Sequence, residues 1–224
     1  MRKKITIAAL YTVFIAVISA FVTTAYFHTF VLNKNEQNPQ QLLTSVSTDK
    51  VTNSRIADGQ DIIEFLSYGC HYCASNEENV EKLEKRLPAG KKLVRLHVSY
   101  EDQGGLGRYA AVFATLDAMG IEAKYRDSAY RAVNKDDIDL GDATQLNGWL
   151  KSNNIDTEEY NTVRQSAAVE QKLAYMTQVT RDYKVNATPV FIVSKKWIAL
   201  QDREFPEFSD QLLSLLNNDS PLEK

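Results

Sequence analysis

Cysteine is scarce in this chain: two in 224 residues, both in one stretch, Cys70-His71-Tyr72-Cys73. No second pair is left over to staple the fold, so the chemistry of the thiols is the more informative reading. Histidine is equally sparse. A zinc site on the two thiolates would have to complete itself from His28, His71, His97 or carboxylates, and His28 sits in an apolar span. Covalent haem attachment needs a histidine directly after the second cysteine, and Ala74 stands there. Basic charge is not in excess either: 26 Lys and Arg against 29 Asp and Glu give a net charge of -3, so no basic face for a nucleic-acid partner is expected. No internal repeat is visible. The 44% hydrophobic content suffices for one domain of ordinary size with a core of its own.

At the N-terminus Arg2, Lys3 and Lys4 precede Ile5 to Leu32, a span without Lys, Arg, Asp or Glu. A membrane helix needs about 20 predominantly apolar residues and a signal-peptide core fewer, so residues 1–32 read as an uncleaved anchor, with a cleaved signal peptide as the alternative. Ile18 fits poorly into a small-residue cleavage pattern before Ala20. In either case the basic cluster stays on the cytoplasmic side and the rest of the chain is exported.

Residues 33–60 are rich in Asn, Gln, Ser, Thr and Asp, the composition of a polar tether, although the part around Leu42 to Val51 has the makings of an edge strand. The folded domain is expected over 61–224. Asp61 to Tyr68 reads as a strand. The next segment reads as a helix with Cys73, Val80, Leu83 and Leu87 on one stripe and Lys82, Lys85 and Arg86 late, matching the helix dipole. Pro88 and Gly90 stop it, and Lys92 to Tyr100 reads as a second strand joined by a right-handed crossover. The pattern then turns helical: Tyr109 to Met119, Ala123 to Ala132, Ala143 to Ser152, and one long stretch from Glu158 through Tyr183. Val190 to Val193 and Trp197 to Leu200 form a hairpin pattern, and Phe205 to Leu216 a closing helix.

A C-x-x-C that opens a helix after a strand is poised for thiol-disulfide exchange. The first thiol lies beside unpaired backbone N–H groups at the positive end of the helix dipole, which favours its thiolate and makes Cys70 the reactive sulfur, with Cys73 resolving. His71 can add a second positive charge that varies between about pH 5 and 8. An inert disulfide is the competing reading. Two further features stand out. Glu64 alternates with Ile62 and Leu66 and so either faces inward or lies exposed on the strand. Pro189 directly precedes the apolar run Val190 to Val193, at a strand start where no N–H is needed.

Taken together, IIEFLSYGCHYC, KRLPAGKKLVRLHVSY, the helical stretch and VNATPVFIV make the chain from about Asp61 to Leu216 resemble the DsbA family of periplasmic thiol oxidases. That resemblance implies an α/β thioredoxin fold with an inserted helical subdomain at about 104–165, preceded by the transmembrane or signal helix. It implies a cis Pro189 packed near the redox pair, with the backbone of Thr188 open to pair with a client strand and Tyr72 also in the client-binding set. It further implies that a buried Glu64 exchanges a proton with Cys73. The implied activity is disulfide donation to unfolded or reduced exported proteins, with no cofactor, by a monomer reoxidised by a DsbB-like quinone-linked membrane partner. Localisation is then periplasmic, at the inner membrane through the anchor or soluble after cleavage. The chain departs from the family's best-known members in having His71-Tyr72 between the cysteines and Thr188 before the proline. Thr188 resembles the reductase and isomerase relatives, so redox direction stays open. A client-binding module with an inert disulfide is a third possibility.

Overall fold

A computed structural model describes residues 14, 15, 17–24, 26 and 42–222. The chain divides into two units, Met1–Gln41 and Leu42–Lys224. In the first, the described residues are helical and solvent-exposed. Much of the expected apolar span, including Ile5 to Leu10 and Leu32, lies outside the described residues. Among the described residues no helix is long and apolar enough to cross a membrane.

The second unit is built on a five-stranded sheet: β1 (Leu43–Ser45), β2 (Ile62–Leu66), β3 (Leu93–His97), β4 (Val190–Val193) and β5 (Trp197–Leu200), in spatial order β1-β5-β4-β2-β3. β2 and β3 are parallel, joined across α2 (His71–Lys85), and the other pairs are antiparallel. Every residue of β2 is buried, as expected of a central strand covered on both faces. On one face Ile62, Leu93, Phe191 and Val193 meet Val80 and Leu83 of α2 and Phe205, Phe208, Leu212 and Leu215 of α8 (Phe205–Asn218). On the other, Ile63, Phe65, Leu96, Val190 and Ile192 pack into the larger cluster supplied by the inserted helices.

The insertion comprises α3 (Ala110–Ala118), α4 (Glu122–Asn134), α5 (Ala143–Ser152), α6 (Thr157–Arg164) and α7 (Ala167–Asp182). α3 is apolar almost all round, and Ala110, Val112, Phe113, Ala114, Thr115 and Leu116 are buried, so it is the central helix of this layer. The single stretch expected from Glu158 to Tyr183 is two helices. Ser166 accepts a hydrogen bond from the Val169 N–H and caps α7 afresh, which ends the continuous helix.

The folded unit also begins earlier than Asp61. β1 pairs antiparallel with β5, and α1 (Thr48–Thr52) follows it. Backbone bonds from Val46 N–H to Lys196 C=O and from Leu200 N–H to Leu42 C=O fix the added strand, which covers the β5 edge. Sheet pairing thus recruits a segment whose composition alone reads as a tether.

Candidate functional site

The turn that carries Cys70 and Cys73 sits where β2 hands the chain to α2. Ser67, Tyr68 and Gly69 leave the strand, the Cys70 N–H donates to the Ser67 C=O at 2.8 Å, and Cys70 becomes the N-cap of α2 with extended backbone angles. Cys70 and Cys73 are joined as a disulfide with Cα atoms 5.3 Å apart. The Cys73 N–H points at the Cys70 sulfur, 3.0 Å away. The cap position that a serine or aspartate ordinarily fills is therefore taken by sulfur, and one of the orphan donors of the helix, the Cys73 N–H, is aimed at it. Cys73 is fully buried and Cys70 is 7% exposed, which leaves Cys70 as the sulfur open to attack. No acidic residue stands in the first turn of α2. A carboxylate there would compete with a Cys70 thiolate for the same N–H groups.

His71 and Tyr72 are both exposed, and their rings stand 6.3 Å apart at the mouth of the turn. Antiparallel register brings the second loop to the same end of the sheet: Phe65 lies opposite Val190, so the next step sets Pro189 beside Leu66. The Thr188-Pro189 bond is cis, Pro189 is buried and Thr188 half-buried. Neither the N–H nor the C=O of Thr188 is hydrogen-bonded among the described residues.

Glu64 is 1% exposed and faces α2, flanked in the sheet by Arg95 and Phe191. Arg95 Nε donates to its Oε2 at 3.0 Å. Among the described residues it makes no hydrogen bond to either sulfur. Burial pushes its carboxyl up to about 7 against the pull of Arg95. Arg95 also reaches Glu77 of α2, Nη1 to Oε1 at 2.9 Å. Glu77 belongs to the buried stripe Cys73, Glu77, Val80, Leu83, whereas Leu87 lies beyond the end of the helix. Burial likewise raises Glu77 to about 7.

From Glu77 the polar chain continues into the insertion. Arg126 Nη1 donates to Glu77 Oε1 at 2.8 Å, and Arg126 embraces Glu122 through Nε and Nη2. Tyr68 OH donates to Glu122 Oε1 at 3.0 Å. Burial pushes Glu122 up to about 8. The other polar atoms of Tyr68 are held too: its N–H donates to His97 Nε2 at 3.1 Å, and its C=O accepts from Asn134 Nδ2 at 2.7 Å. His97 is wholly buried, and burial lowers it to about 4, so it accepts from Tyr68 as the neutral ring while Nδ1 faces the Val98 C=O at 2.7 Å.

The sequence therefore points to Cys70, Cys73, Glu64, Thr188 and Pro189, and the fold gathers these at one end of the sheet or beneath α2. Tyr68, Glu77, Arg95, Glu122 and Arg126 escaped that reading. The readable signal was a charge on an apolar stripe: Glu77 falls between Cys73 and Val80, and Arg95 stands at an inward position of β3.

The DSBA-like thioredoxin domain model matches residues 86–213, more than half of the chain. The chain belongs to this family. The match begins after the redox pair and takes in Thr188 and Pro189. A relative named thiol:disulfide interchange protein DsbA, from Pseudomonas syringae pv. tomato, is 26% identical over 137 residues, covering 61% of this chain and 63% of that protein. The chain thus spans somewhat less than two thirds of that relative. Among solved structures, Pseudomonas aeruginosa DsbA superimposes with a TM-score of 0.66 at 22% identity over 79% of this chain and 91% of that one. A cysteine-to-serine variant of Proteus mirabilis DsbA, solved with a non-covalently bound peptide PWATCDS, gives 0.65 at 18% identity over 80% and 97%. These likenesses show the DSBA-like thioredoxin fold, with its helical insertion, over most of the folded unit.

Proposed function

We propose that this DSBA-like protein is an exported thiol:disulfide oxidoreductase that introduces disulfide bonds into reduced client proteins. The observation that carries this is the Cys70-Cys73 disulfide at the start of α2, with only Cys70 reachable and the Cys73 N–H 3.0 Å from the Cys70 sulfur. A client thiolate attacks Cys70 Sγ. The Cys70-Cys73 bond breaks, a client-Cys70 disulfide forms, and Cys73 leaves with the electron pair. A second client thiolate then attacks the client sulfur of that bond and expels Cys70 as a thiolate. The client gains a disulfide and the protein two electrons. The helix N-terminus stabilises the departing Cys70 thiolate, and an imidazolium at His71 does the same. Glu64, ionising near neutrality beneath α2, is the group suited to exchange a proton with the Cys73 side of the pair.

Client binding is assigned to the loop holding Thr188 and Pro189, with Tyr72 on the opposite lip. The unpaired Thr188 backbone suits an added client strand, a mode that tolerates many sequences. A peptide bound to the Proteus mirabilis relative supports a peptide-binding role. Export rests on the basic N-terminus followed by the uncharged span, which also supports an anchor at the inner membrane and a periplasmic location. Reoxidation is assigned to a DsbB-like quinone-linked membrane protein.

The test follows a fluorescent peptide with two reduced cysteines, whose emission changes when they join, mixed with the oxidised full chain. Stoichiometric peptide oxidation is expected. Cys70→Ser should abolish it, and Cys73→Ser, charged at Cys70 with a variant peptide that keeps a single cysteine, should hold that mixed disulfide, since neither Cys73 nor a second client thiolate is there to resolve it. Peptide oxidation unaffected by Cys70→Ser would overturn the reading. An equilibrium in which the reduced protein opens the peptide disulfide instead would assign a reductase, the alternative that Thr188 favours.

A further inference from the structure

The polar chain described above closes on itself around the redox pair. Tyr68, two residues before Cys70, donates to Glu122; Glu122 is clasped by Arg126; Arg126 donates to Glu77; and Glu77 lies one turn after Cys73 on the same helix. Continuing back along α2 through Cys73 and Cys70 to Tyr68 completes a ring. Two of its members, Glu122 and Arg126, lie one turn apart on α4 of the insertion. A third α4 residue, Asn134, holds the Tyr68 C=O. The insertion thus grips the redox turn on both sides of the disulfide.

The grip is buried. Tyr68 is 0%, Glu122 5%, Arg126 7% and Glu77 7% exposed. In a water-poor setting these bonds are costly to break, because each leaves a charged or polar group without a partner. His71 lies outside the ring, in a cleft of about 510 Å³ between α2 and α4 that is also lined by Glu77, Tyr130 and Asn134.

We propose that Glu122, Arg126 and Asn134 of α4 are positioning residues for the redox pair, holding Tyr68 and Glu77 so that the Cys70 and Cys73 sulfurs stay in bonding geometry whether or not the disulfide is present. This rests on the exchange activity proposed above and gives the helical insertion a part in it. The physical effect is on the reduced form. The disulfide itself restrains the turn when oxidised, whereas after reduction the ring is left to do so with the backbone hydrogen bonds of Cys70. Loosening the ring releases conformational freedom mainly in the reduced state, lowers the effective concentration of one thiol at the other, and so favours reduction.

The test is the equilibrium constant of the full chain with glutathione, measured for wild type, Tyr68→Phe and Asn134→Ala, alongside thermal unfolding of the oxidised and reduced forms of each. Tyr68→Phe removes one hydroxyl and leaves the ring packing against Phe113 and Tyr130. Each variant should move the equilibrium about 3- to 10-fold toward the dithiol, with the reduced form losing less thermal stability than the oxidised form. Equal loss in both forms with an unchanged equilibrium constant in either variant that folds would reduce the ring to a purely structural feature and overturn the proposal. Failure of wild type to exchange with glutathione or the peptide at all would instead refute the activity itself, so the two outcomes are distinct.

Discussion

Replacing Glu64 by glutamine should flatten the dependence of stability on pH between about 4.5 and 8. In the folded protein burial raises this carboxyl to about 7, whereas in the unfolded chain it returns to the ordinary glutamate value of 4.5. Between those two values the folded state holds a proton that the unfolded state has released. Stability from this group is therefore fully present below pH 4.5 and is lost as pH rises through 7. A difference of about 2.5 pKa units at about 1.4 kcal/mol each corresponds to about 3 to 4 kcal/mol, a change of roughly 300-fold in the unfolding constant. Glu77 raises Glu64 across Arg95, so removing one charge lets the other ionise more readily. Glu77 then contributes less of the slope as well, and the expected gap between the two curves is about 3 to 4 kcal/mol. Guanidinium unfolding of the oxidised protein, followed by the fluorescence of the buried Trp149, measures it. Glu64→Gln should gain on wild type steadily from pH 4.5 to 8. Parallel curves across that range would refute the assignment of a raised carboxyl to this position.

Arg95→Met keeps an unbranched apolar stem and removes the charge that Glu64 and Glu77 share, so stability at pH 8 should fall by about 3 to 5 kcal/mol, with a much smaller loss at pH 5 where both carboxyls are protonated. Chemical unfolding at the two pH values checks it, and an equal loss at both would contradict the charge argument. His97 should remain mostly neutral at pH 5 in the folded protein, because burial lowers it to about 4; its ring resonances in NMR should move with a midpoint near that value, and a midpoint near 6.5 would contradict the burial argument. The stability it contributes is present above pH 6.5 and is lost as pH falls from there through 4, opposite in sign to Glu64.

The order of elements was legible because the pattern changes cleanly along the chain: a short apolar run in β2, then an apolar stripe on α2, and a strong apolar pair of strands at Val190 to Leu200. The cysteine pair and the proline loop were legible for a different reason, since spacing and strand-start chemistry are local. The ionic ring was not. Glu77 sits in an acidic stretch with Glu78 and Glu81 that reads as a solvated face, and Glu122 and Arg126 form an i, i+4 pair of the kind common on exposed helices. Only tertiary packing distinguishes Glu122 and Arg126 from surface charges, and Glu77 is marked solely by its place on the stripe between Cys73 and Val80. Strand β1 was half legible: its apolar residues are few, and its pairing with β5 depends on a hairpin distant in sequence.

The topology also sets an order of assembly. β2, α2 and β3 follow one another and can pair early, but the other side of β2 is filled by β4, which arrives only after the whole helical insertion. Closing so long a loop carries an entropic cost that contacts made late must offset, and non-local pairing of this kind is slow relative to helix formation. A chain emerging from its N-terminus therefore presents Cys70 and Cys73 well before Thr188 and Pro189 exist to meet them. Its reactive sulfurs are made first, and the loop beside them comes last.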